Sequence, residues 1–218
     1  MTERASAAVA WEALSPTWRV AVGEAWASWV AGSAAVGAAL VDDLGVVVAT
    51  GRNRMMERSP SRLSGTLMAH AEMDLLSQVP FGTKLGGALY STFEPCLMCA
   101  ATILLYELPE VHYAAADPVF DGLHDWIGTH PFTADRVPRR VHLGGPIGAF
   151  CHVLHLSWLA VNAPPETVID AHRRLAPQHL DCATGVARSH RLRPLADDGA
   201  PVIDALDELW PDLVALST

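Results

Sequence analysis

Lysine is almost missing from this chain. Of its 15 basic residues only Lys84 is a lysine, against 24 acidic ones, and the net charge is -9. No lysine-rich tail or stripe is available to neutralise a phosphate backbone, so nucleic acid is disfavoured as a partner on charge alone. The arginines that stand near one another, such as Arg52, Arg54, Arg58 and Arg62, read as ordinary solvated surface. Cysteine is also scarce: Cys96, Cys99, Cys151 and Cys182 are too few for a disulfide scaffold. No uncharged run is long enough to cross a membrane comfortably. The best candidate, Ala25 to Val41, has about 17 residues, at the lower limit for spanning, and is interrupted by Gly32, Ser33 and Gly37. It reads as a buried helix end followed by a buried strand, with no membrane partner. The start of the chain carries Glu3 and runs into Trp11 and Glu12, unlike a secretory signal, so a cytoplasmic location is expected.

Apolar residues, in contrast, are plentiful. Half of the 218 residues are hydrophobic and the mean hydropathy is +0.21, which excludes a mostly disordered chain and points to one large core. Ser15-Pro16 is a helix-start signal, followed by Trp18, Val22, Trp26 and Trp29 at helical spacing. The runs 34–41 and 46–50 around Asp42-Asp43-Leu44-Gly45 predict a hairpin. Further on, the pattern predicts a helix over 67–78, a strand over 87–92, a helix over 96–106, a strand over 110–116, a long loop over 117–138 and a helix over 148–161. This order implies an α/β fold in which helices cover a mixed sheet. Beyond Ala163, two helical patterns, 166–175 and 201–216, are joined by a polar connector. Two units are therefore expected: residues 1–162 as the main domain, and 163–218 as a C-terminal helical extension packed on its core.

The chemistry is concentrated in two short motifs. His70-Ala71-Glu72 alone means little in a chain with 10 histidines. Pro95-Cys96-Leu97-Met98-Cys99 is far more specific: a chance P-C-x-x-C is expected on the order of 0.005 times at this composition. Both motifs open predicted helices, where free N–H groups and the helix dipole favour thiolates. Two thiolates and one neutral imidazole make a zinc set, with a fourth tetrahedral position left for water. Glu72 lies two residues from His70 and so does not share its helix face, which divides the labour: His70 binds metal and Glu72 moves protons. A thiol–disulfide redox pair is the competing reading, as is a structural zinc closed by Cys151 or another histidine. Glu94, just before the cysteine pair, is a substrate contact or a structural hydrogen-bonding group. Phe120, Trp126 and His130 in the long loop are candidates to line a pocket and stack on a flat ring, whereas His112, His142, His152 and His155 read as packing.

These motifs, with Gly51-Arg52-Asn53 and Leu89 to Ala100 around them, resemble the cytidine-deaminase-like zinc deaminase superfamily, and look most like its guanine deaminase and tRNA adenosine deaminase branch. The resemblance covers roughly Trp18 to Val161. It implies zinc held by His70, Cys96 and Cys99, Glu72 as proton shuttle and Asn53 hydrogen-bonded to substrate. It also implies a three-layer α/β/α sandwich around a mixed five-stranded sheet, and a homodimer. The expected reaction is hydrolytic release of ammonia from an aminated heterocycle. After the fourth predicted strand this chain has Ala116-Asp117-Pro118-Val119-Phe120, without the arginine before Asp-Pro that marks the RNA-editing members. A free nucleobase or nucleoside, guanine- or cytosine-like, is therefore the expected substrate. Adenosine-to-inosine deamination of tRNA is the alternative, and a non-catalytic zinc-binding interaction subunit, which would be expected to lack Glu72, is a further one.

Overall fold

In the computed structural model, which describes residues 6–58, 63–80 and 82–217, a short helix α1 (Ala7–Ala13) precedes the element that organises the rest. The Ser15 hydroxyl accepts from Trp18 N–H at 3.3 Å, and Pro16 fills the first helical position, where the missing N–H costs nothing. Helix α2 (Pro16–Val30) follows and buries Trp18, Ala21, Val22, Ala25 and Trp26.

Five strands form one sheet: β1 (Gly37–Val41), β2 (Val47–Arg52), β3 (Ala88–Phe93), β4 (Glu110–Ala115) and β5 (Arg139–His142), in the order β2-β1-β3-β4-β5. Strand β1 pairs antiparallel with β2 and β3, while β3, β4 and β5 run parallel. Two glycines show how the sheet is covered. A Cβ on Gly37 would sit 2.2 Å from the Ala21 carbonyl of α2, and one on Gly51 would sit 2.4 Å from the Ala71 carbonyl of α3 (Ala71–Leu76). Gly51 pairs with Ala38, the neighbour of Gly37, so the two glycines face opposite sides. Helix α2 therefore lies on one face with α6 (Gly145–Leu159), and α3 lies on the other beside α4 (Leu97–Leu105). This is the expected three-layer α/β/α sandwich around a mixed five-stranded sheet.

Several elements differ from the sequence expectation. Helix α3 begins at Ala71 rather than near Leu67, because the preceding backbone is spent elsewhere: Ala69 N–H bonds to Thr66, and the Ala69 carbonyl accepts from Arg54 N–H at 2.8 Å. The long loop 117–138 contains a 3-10 turn (Pro118–Phe120) and α5 (Leu123–Ile127), and the half-polar edge strand β5 follows it. Beyond α6 come α7 (Glu166–Leu175), α8 (Pro177–Ser189), α9 (Arg193–Asp197) and α10 (Val202–Leu216). The expected polar connector is thus largely the helices α8 and α9. Helices α8 and α10 pack on α6 rather than on the sheet, and α10 adds fully buried Leu206, Leu209 and Leu213 to the core. Among the described residues no helix is long and apolar enough to cross a membrane.

Candidate active site and metal centre

His70 is the N-cap of α3 and Cys96 is the N-cap of α4. Neither side chain caps its own helix, so both are free to point away from it. Strand β3 ends at Phe93, three residues before Cys96, which brings the α4 start to the carboxyl end of a central strand, where open α/β sheets hold their sites. One turn into α4, Cys99 joins the pair. His70 Nδ1 lies 3.5 Å from the Cys96 sulfur and 3.6 Å from the Cys99 sulfur, and the sulfurs are 3.6 Å apart. A tetrahedral zinc with its usual bond lengths would place two sulfurs about 3.8 Å apart and sulfur and nitrogen about 3.6 Å apart. The three donors therefore fit zinc in type and spacing, and they are the one such group among the described residues. Cys151 is fully buried in α6 and is not part of the group.

The hydrogen bond between the two sulfurs and another with His70 lower Cys96 to about 4, and the same sulfur–sulfur bond, with burial, raises Cys99. Burial opposes a charge on His70, but its hydrogen bond to Cys96 and the charge of that thiolate outweigh this and raise it. Metal binding to thiols releases their protons, so it favours the thiolate form of both cysteines.

Glu72 is 3% exposed, in the first turn of α3. Its Oε1 accepts from Ser91 Oγ at 2.8 Å, and its Oε2 lies 3.3 Å from the Cys99 sulfur. Burial raises its pKa, partly countered by the charge of His70. A buried carboxyl pushed upward beside a metal set has the character of a group that can take up a proton and return it.

A cavity of about 270 Å³ opens onto this cluster, and Asn53, His70, Glu72, Glu94, Cys96 and Phe120 all line it. A larger cavity of about 620 Å³ shares the Glu94 and Asp117 wall but reaches neither Glu72 nor the metal donors. Asn53 is held from three directions: its N–H donates to Val36, its carbonyl accepts from Ser28 Oγ, and its Oδ1 accepts from Met55 N–H. Glu94 accepts from Asp117 N–H at 2.9 Å and pairs with Arg140, and so ties the cavity rim to β5. Trp126 and His130, expected to stack on a ring, are exposed and do not line the cavity. Both sit beyond the 3-10 turn, where α5 and the turn after it face solvent instead.

Sequence reasoning missed four contributors. Asp117 lines the cavity, and burial pushes it up to about 7, with the charges of Glu94 and Cys96 adding to the effect. Its place directly after β4 was the available signal. His155, assigned to packing in the sequence, also lines the cavity, and its buried Nδ1 has no hydrogen-bond partner among the described residues. Trp158 of α6 and Val168 of α7 complete an apolar side for which the sequence carried no local signal.

Residues 12–115 match the family model described as the cytidine and deoxycytidylate deaminase zinc-binding region. A tRNA-specific adenosine deaminase of Agrobacterium fabrum is 39% identical over 87 residues, which are 38% of this chain and 53% of that protein. The chain thus spans about half the length of that relative. A solved guanine deaminase from Nitrosomonas europaea is 18% identical, with a TM-score of 0.52, over 67% of this chain and 85% of the other, a likeness of fold. A structure from work on tRNA:A34 deaminases, which edit A to I at the wobble position, is 29% identical over 58% of this chain and 95% of its own, with a TM-score of 0.48.

Proposed function

We propose that the chain, whose residues 12–115 match the cytidine and deoxycytidylate deaminase zinc-binding region, is a zinc-dependent hydrolytic deaminase of a small aminated heterocycle. The observation that carries this reading is the position of Glu72: a buried carboxyl within 3.3 Å of a sulfur of the His70–Cys96–Cys99 set, lining a cavity of about 270 Å³. Zinc is the cofactor, and when bound it supplies a Lewis acid that makes water a nucleophile near neutral pH.

The chain's own residues account for the rest. His70, Cys96 and Cys99 hold the ion. Glu72 Oε2 takes one proton from water as the ring carbon bearing the amine is attacked and delivers it to the ring nitrogen, then takes the second proton from the new hydroxyl and delivers it to the departing amine. Water is consumed, the C–N bond breaks, and ammonia leaves with a carbonyl in its place. Ser91 holds Oε1, so that Glu72 keeps one orientation through both transfers. With Oδ1 engaged by Met55, Asn53 has its Nδ2 donors to offer an acceptor on the ring edge. Phe120 supplies a flat apolar contact.

A free nucleobase or nucleoside, guanine- or cytosine-like, is the preferred substrate class. Support comes from the net charge of -9, the single lysine and the cavity volume of about 270 Å³. Deamination of adenosine in tRNA is the second reading, favoured by the 39% identity to the tRNA-specific relative. An ammonia-release panel decides between them: guanine, guanosine, cytosine, cytidine, adenine, adenosine and a tRNA anticodon stem. Turnover of a free base or nucleoside is expected, and inosine formation in the anticodon stem with no activity on any small heterocycle would replace it with the second reading. Expected partners are the small substrate and a second copy of the chain.

A further inference from the structure

Val168 lies beyond residue 115, where the family match ends, yet it lines the catalytic cavity with Phe120, Trp158 and Leu159. Its helix, α7, packs against the 3-10 turn Pro118–Phe120 that carries Phe120 to the cavity. The helix is firmly anchored. His172, 1% exposed, faces His152 of α6 with 3.2 Å between Nδ1 and Nε2. Helix α8, packed on both α6 and α7, stacks His179 on the same His152 ring at 4.7 Å. Residues four apart share a helix face, so the anchor His172 sits one turn from Val168 and transmits the position of α6 to the cavity wall.

We propose that α7 sets the size limit of the cavity, with Val168 as a specificity-determining residue that admits a free heterocycle and turns away one carrying a sugar or a polynucleotide. This rests on the deaminase reading above. The cavity, at about 270 Å³, falls below the range of roughly 300–1,000 Å³ usual for drug-sized ligands. Beside the metal donors and the hydrogen-bonded Asn53 it has an apolar side formed by Val168, Trp158, Leu159 and Phe120, against which added bulk would press. That side gives a ring face good contact but offers sugar hydroxyls and phosphates nothing to pair with, and burying them there is costly.

The test compares zinc-loaded full-length wild type, Val168→Ala and Val168→Trp. Ammonia release is measured on guanine and guanosine, cytosine and cytidine, adenine and adenosine, and calorimetry measures binding of the free bases. A single methylene in a pocket changes selectivity by about 10-fold or more. Val168→Ala is therefore expected to shrink the base-over-nucleoside ratio of kcat/KM by about 10-fold, acting on KM. Val168→Trp is expected to weaken base binding and raise KM to a similar degree, with zinc content and Tm unchanged. If all three proteins turn over with the same base-to-nucleoside ratio, or if wild type prefers nucleosides, α7 does not set the limit. Absence of ammonia from every substrate in all three zinc-loaded proteins would instead remove the deaminase reading, and this inference with it.

Discussion

Ser91, in β3, donates its hydroxyl to Glu72 Oε1 at 2.8 Å, and this bond leaves Oε2 turned to the sulfur of Cys99. Both residues are buried. One carboxyl oxygen is fixed and the other faces the metal set, the arrangement needed by a group that must give back the proton it has taken.

Glu72→Gln keeps the shape and the hydrogen bond to Ser91 but cannot carry the proton. Zinc content and fold should be retained while kcat falls by about 10² to 10⁴, the usual contribution of a positioned acid–base group. Metal analysis beside steady-state ammonia release checks this, and normal turnover would remove Glu72 from the mechanism.

Ser91→Ala leaves Glu72 in place with Oε1 unpaired. Loss of one buried hydrogen bond to a charged group is worth roughly 1.5–3 kcal/mol, so kcat should fall by at least about tenfold with KM nearly unchanged. A rise in KM with kcat intact would mean that Ser91 serves binding instead.

Cys96→Ser and Cys99→Ser should each lose zinc and activity together, because serine is a poor ligand for this ion and each cysteine is one of three protein donors. Cys151→Ala should keep zinc, since that sulfur lies in the α6 core outside the donor group. The zinc-to-protein ratio of the three variants distinguishes the donors from the bystander.

Acid should loosen the contact between α6 and the C-terminal helices. Burial, with the neighbouring histidines, holds His152 down to about 2 and His172 down to about 4, both below the ordinary histidine value. A depressed histidine pKa means that the unfolded chain binds more protons, so stability is full above about pH 6.5 and falls as the pH drops toward the folded-state values. From pH 7 to pH 5, one imidazole that stays neutral only in the folded state costs about 2 kcal/mol. Thermal unfolding across that range should show a falling Tm, with a smaller fall in His152→Asn.

Gly51→Ala should destabilise the fold by about 1–3 kcal/mol, because the new methyl would meet the Ala71 carbonyl and force α3 away from the sheet. Since α3 carries His70 and Glu72, zinc affinity should fall as well. Unchanged Tm and zinc affinity would mean that α3 has room to move.

The spacing of Cys96 and Cys99, the type and order of most core elements, and the pairing of His70 with Glu72 were legible in the sequence because they are local. A strand ending three residues before a helix start fixes where Cys96 emerges, and a helix cap fixes His70. Asn53 and Glu94 were legible as candidates, but their actual bonds, to Met55, Asp117 and Arg140, depend on segments that meet only after folding. The edge strand β5 was hidden, since four half-polar residues carry no periodicity of their own.

By itself, then, the sequence determined the chemistry: a zinc donor set and its acid are specified by residue type at fixed short spacing, and helix starts hold them ready. Only the tertiary structure decided the shape of the space in front of them. Asp117, His155, Trp158 and Val168 are brought to the cavity by β4, α6 and α7. Which side chain of a helix meets a cavity depends on how that helix packs against elements far away in sequence. For Val168 that is settled by His172 against His152 and by α7 against the turn at Phe120, contacts no local pattern encodes.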